Sequence, residues 1–210
     1  MRTILAPIMF MLSFSTTASA EYSPRDFLSQ APAETFYTED SMTEEQKRAA
    51  LRSAPQPPPR FDCETWGIAE QSLTSLVLQI CPDSFVRIQL FRQASGDTIA
   101  AVESNRSAGR AVDLNFFKVV GNTGAITKLS DGDLTALGLV EVSENDLLPE
   151  DMKFPSGTAE ILKLGLDTAG RPTGLVSTWM NPRWETKTQA FDIVFEWDGA
   201  RFRKKVEKRT

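Results

Sequence analysis

Residues 61–91, FDCETWGIAEQSLTSLVLQICPDSFVRIQLF, hold both cysteines of the chain and its densest run of strand-forming side chains. Much of the stretch alternates apolar and polar residues with the period of two that a half-buried strand requires. Folding residues 61–68 back on residues 73–81 as an antiparallel hairpin gives one register that meets two independent demands. Cys63 falls opposite Cys81, near enough for a disulfide, because opposed Cα atoms in a non-hydrogen-bonded pair lie about 4.5 Å apart. Trp66 then meets Leu78 and Ile68 meets Leu76 on one face, while Thr65 meets Gln79 and Gly67 meets Val77 on the other. The connection Glu70-Gln71-Ser72 lacks the Asn-Gly or Asp-Gly of a tight turn, so the turn itself does not fix this register. After Pro82-Asp83-Ser84 a third strand, residues 85–91, sends Val86, Ile88 and Leu90 one way and Arg87 and Gln89 the other.

The residues before this stretch decide what the cysteines mean. Arg2, an apolar run over residues 4–14 and the small-x-small triplet Ala18-Ser19-Ala20 are the three parts of an export signal. The run is shorter than the roughly 20 apolar residues of a spanning helix, so no stable membrane anchor is expected. The reading is a signal peptide over residues 1–20, a mature chain beginning at Glu21, and a periplasmic or secreted protein. In an oxidising compartment two cysteines read as one structural disulfide, Cys63–Cys81. Closing a loop of that size stabilises by about 3 kcal/mol in the chain-entropy account. The net charge of −5 argues against nucleic acid as a partner.

Residues 21–59 differ in kind from the rest of the mature chain and read as an N-terminal arm. Ser23-Pro24 opens a short helix containing Phe27 and Leu28. Thr43-Glu44-Glu45-Gln46 is a capping box that opens a second, surface helix over residues 44–52. Gln56-Pro57-Pro58-Pro59 forbids helix and favours an extended spacer. From residue 60 the period is mostly two, giving strands at 98–103, 111–120, 134–142, 160–166, 173–180, 189–197 and 201–206. Many of them are separated by Gly- or Asp-rich turns such as Ser95-Gly96-Asp97 and Asp131-Gly132-Asp133. In the last hairpin Asp198-Gly199 acts as a two-residue turn. Phe195 then faces Phe202, with Glu196 opposite Arg201 and Asp192 opposite Lys205 on the other side. The expected fold is mainly β, an antiparallel sandwich or barrel-like single domain over residues 60–210 with the helical arm attached; an α+β arrangement with helix 44–52 packed on one sheet is the alternative.

The chain has no histidine. That removes Ser-His-Asp and Cys-His nucleophile activation and every His-based zinc site. Neither a Ser-x-x-Lys signature nor a phosphate-cradling or dinucleotide-binding glycine pattern occurs. Carboxylates remain as candidates for paired acid–base work: Asp131, Asp133, Glu141, Glu144, Asp146, Glu150 and Asp151. Asp131-Gly132-Asp133 begins like a calcium loop, but Ala136 and Val142 stand where Gly and Glu are needed, so a turn is the better reading and no metal or cofactor is expected. Trp179, Arg183 and Trp184 surround an Asn-Pro turn and are the residue types enriched in binding hot spots, although inward packing of the two indoles is the structural alternative. The expected function is an exported, non-enzymatic module that binds another protein, of the inhibitor or assembly-factor kind. A polysaccharide-directed hydrolase with a carboxylate pair, and a small-ligand carrier with a cavity in the β domain, are the alternatives.

Overall fold

Thr98 through Ser104, seven consecutive residues of one strand, are all buried, which requires protein on both faces of that strand. The computed structural model describes residues 21–38, 41–55, 65–81, 84–105, 112–121, 123–143, 146, 162–175 and 191–208. Strands β1 (Gly67–Gln71), β2 (Ser75–Cys81), β3 (Ser84–Arg92), β4 (Thr98–Asn105), β5 (Val112–Val119) and β6 (Ile126–Lys128) form an antiparallel sheet in chain order. Strands β7 (Lys163–Leu166), β8 (Pro172–Leu175), β9 (Phe191–Trp197) and β10 (Phe202–Lys208) form a second, again in chain order. The protein is mainly β, with two open antiparallel sheets, as the alternation of its sequence predicts.

Because side chains alternate across a strand, β4 feeds two cores. Ala100 and Val102 join Leu76, Leu78, Val86 and Ile88 on one face. Ile99 and Ala101 join Phe91, Phe116, Ile193, Phe195 and Phe202 on the other, between the two sheets. The face of β3 that carries Arg87 and Gln89 is therefore turned toward the second sheet rather than left to solvent.

Two short helices cover the first core. In α1 (Pro24–Gln30) the Ser23 hydroxyl accepts the Asp26 N–H and the Asp26 carboxylate accepts the Ser23 N–H. In α2 (Glu44–Arg52) Thr43 and Gln46 do the same. Both caps form where the sequence places them, since each needs only residues three apart. The segment is more deeply engaged than a surface arm: Phe27, Leu28, Phe36 and Ala50 are fully buried within the first core. Lys47, only 5% exposed, has its charge satisfied by the Ala31 carbonyl at 2.8 Å and Glu44 at 2.9 Å.

Three expectations are corrected. In β1–β2, Ile68 pairs with Leu78 and Gly67 with Gln79, two residues away from the register that opposes Cys63 to Cys81. A bulge at Ala69 and a turn built on Ser72, whose hydroxyl accepts the Thr74 and Ser75 N–H groups, set the pairing instead. In β9–β10, Phe202 pairs with Trp197, Arg203 with Glu196 and Glu207 with Asp192, again two residues away from the expected register. The loop is wider because the Asp198 carboxylate accepts both the Ala200 and the Arg201 N–H groups, at 3.0 and 2.9 Å. The expected strand at 134–142 is instead α3 (Asp131–Ala136) followed by irregular chain, since Ser130 and Asp133 form a third capping box.

Candidate functional site

The C-terminal end of α2, Arg25 of α1 and the β1–β2 turn enclose an open groove of about 750 Å³. Arg25 builds its wall. Its Nε donates to Gln71 Oε1 at 2.9 Å, Nη1 to the Leu51 carbonyl at 3.2 Å and Nη2 to the Ser53 carbonyl at 2.7 Å. Two of these bonds satisfy carbonyls that the end of α2 leaves unpaired, and the third ties α1 to β1. Arg92 donates to the Leu73 and Tyr22 carbonyls and pairs with Glu21. The backbone of the turn is thus held from two sides, while the Leu73 side chain stands 80% exposed at the groove's rim. Arg52, also exposed, lines the same groove. The surface therefore combines an exposed aliphatic side chain with two guanidinium groups.

A second feature lies between the sheets. Glu103 on β4 is 5% exposed and stands opposite Arg87 on β3. Its Oε1 accepts the Leu166 N–H at 2.9 Å, while Oε2 lies 3.7 Å from Arg87 Nη1. Arg87 spends that nitrogen on the Leu166 and Asp167 carbonyls, at 3.3 and 2.9 Å. Burial pushes the Glu103 carboxyl up, and neither the Leu166 N–H nor the Arg87 charge brings it back to its ordinary value.

Among the residues singled out from the sequence, Trp179, Arg183 and Trp184 lie outside the described residues, as does Cys63. Cys81 is the last residue of β2 and is not a free thiol. The described carboxylates are engaged locally or exposed. Asp133 caps α3, and the Ser130 hydroxyl and N–H hold its carboxyl below the ordinary range. Burial alone raises the Asp146 carboxyl, but the Lys204 ammonium and the Ser143 N–H outweigh it and leave it low. Asp131 and Glu141 are exposed, and Glu144, Glu150 and Asp151 lie outside the described residues. Among the described residues no three His, Cys, Asp or Glu side chains are grouped to hold a metal ion, and no helix is long and apolar enough to cross a membrane. Sequence reasoning missed the groove, whose walls are 46 residues apart at the Arg25–Gln71 bond. For Glu103 a signal existed: an acidic side chain inside the apolar run TIAAVES. No protein-family model, curated protein or solved structure matches the chain.

Proposed function

We propose that the chain is an exported, non-enzymatic module that binds another protein, and that the groove around Leu73 is its contact surface. The observation that carries this reading is Leu73 itself, 80% exposed on a turn whose backbone is held by Arg92 and Ser72. An exposed aliphatic side chain gains about 1.5–3 kcal/mol when covered, roughly ten- to a hundredfold in affinity. With Arg25 and Arg52 beside it, the fitting occupant is an extended segment that offers an apolar side chain flanked by carboxylates. A signal peptide over residues 1–20 and a Cys63–Cys81 disulfide complete the proposal. Either partner type named from the sequence, an enzyme to be inhibited or an envelope component to be assembled, can supply such a segment.

The test uses tagged protein beginning at Glu21 as bait in its native envelope fraction, beside Leu73→Asp and Arg52→Glu. Melting temperatures should be unchanged and the captured partner reduced tenfold or more in both variants. Equal recovery by wild type and variants sinks the assignment of this surface. Intact mass with and without reductant decides the disulfide; two free thiols in protein from its own compartment sink that part.

A further inference from the structure

Glu103 is a buried carboxylic acid with only one of its two oxygens hydrogen-bonded. Among the described residues its Oε2 is without a hydrogen-bond partner, and so is Asn105 Oδ1. The two residues are two apart on β4 and hence on the same face, so two unpartnered buried acceptors share one stretch of strand. Leaving such atoms unsatisfied is costly. A proton on Oε2 turns the first acceptor into a donor and removes the charge that burial penalises. Arg87 does not fill the role. Its Nη1 is 3.7 Å from Oε2 and donates to the Leu166 and Asp167 carbonyls instead. On β5 the residue paired with Glu103 is the uncharged Leu114. On the β7–β8 side the near charge is Asp167, whose carboxylate is turned to Arg171 and to its own turn.

Glu103 and Arg87 together grip one element. Both bind the backbone at Leu166 and Asp167, the end of β7 and the start of the turn into β8. We propose that Glu103 carries a proton in the folded protein at mildly acidic pH and that this proton latches the β7–β8 hairpin onto the six-stranded sheet. When the proton leaves, the buried carboxylate is better accommodated in water, and lifting the hairpin brings water to it. The burial-driven rise of its pKa above the ordinary 4.5 has the matching sign. The docked form binds the proton more tightly, so docking is strongest at low pH and weakens as pH rises through the folded midpoint. For one proton the opening constant grows by up to about tenfold per pH unit across that window.

Hydrogen exchange at the Leu166 amide reads this directly. With intrinsic rates divided out, Leu166 protection in the full chain should fall as pH rises, while protection of Ala50 in α2 stays level. In Glu103→Gln the Leu166 protection should lose its pH dependence. A flat wild-type profile, or the same slope in Glu103→Gln, overturns the proposal. Should the variant not fold, carbon-13 titration of the wild-type Glu103 carboxyl decides it: a midpoint above 4.5 is expected, and one at or below it overturns the latch.

Discussion

Gly138 and Gly199 both have positive φ, +84° and +96°, yet they answer to different constraints. Around Gly199 a Cβ meets open space, so Gly199→Ala carries only the handedness penalty, about 1–2 kcal/mol. At Gly138 the same atom overlaps the Phe202 carbonyl, on a residue whose N–H donates to the Leu137 carbonyl at 2.7 Å. Gly138→Ala should therefore cost clearly more, and denaturant melts of the two variants side by side check the ranking. Asp198 offers a pH test. The Arg201 and Ala200 N–H groups, then Arg203, hold its carboxyl at about 2, below the ordinary 3.8. A depressed acid stabilises the fold above its unfolded value and loses that contribution as pH falls through the folded one. The stability gap between wild type and Asp198→Asn should accordingly be full above pH 4 and close toward pH 2, as followed by thermal melts across that range.

At the level of the element, caps and registers behave differently. Thr43→Ala removes the side chain that accepts the Gln46 N–H and should cost about 1 kcal/mol, measured by chemical denaturation. In the β9–β10 hairpin, Glu196 reaches Lys205 at 3.1 Å, while Arg201 lies in the turn. Double-mutant cycles should give a coupling distinguishable from zero for Glu196 with Lys205 and none for Glu196 with Arg201. The contrast explains what the sequence could reveal. A capping box is written within four residues: the caps at Ser23 and Thr43 form as read, and the box at Ser130, where a turn is expected, forms as well. A strand's inward set is also local: Trp66, Ile68, Leu76 and Leu78 are buried as expected. Register is not local in this sense. A slip of two residues leaves every side chain on its original face, so the apolar pattern cannot distinguish the pairings, and the turn decides. At Ser72 and Asp198 the turn is closed by a side chain accepting backbone N–H groups, and such loops run longer than the two residues that Asp-Gly suggests. The stretch at 134–142 misleads for a related reason: its apolar residues are too few to fix a period, but Leu134 and Leu137, three apart, share a face only in a helix, and the capping box at Ser130 selects it.

Taken whole, the described residues form three layers, helices, six strands, then four, and the central strand β4 of the middle layer is covered on both faces. A fragment beginning at residue 65 would expose Ile68, Leu76, Leu78, Val86 and Ile88, all now buried under Phe27, Leu28 and Phe36. That fragment should be insoluble or unfolded, whereas the chain from Glu21 melts in one cooperative step; light scattering and circular dichroism on the two proteins test this. The candidate groove is a property of this same scale. It exists only where α1, α2 and the β1–β2 turn meet, so no single stretch of sequence carries its signature.

In the six-stranded sheet, spatial order and chain order coincide. Each strand's hydrogen-bonding neighbour is therefore the next one to arrive, and every closure is short, which keeps the entropy of each step small. In a chain that folds as it emerges from its N-terminus, such a sheet can be laid down strand by strand. The two helices that cover it come first in the chain, so they are present before the surface they fit.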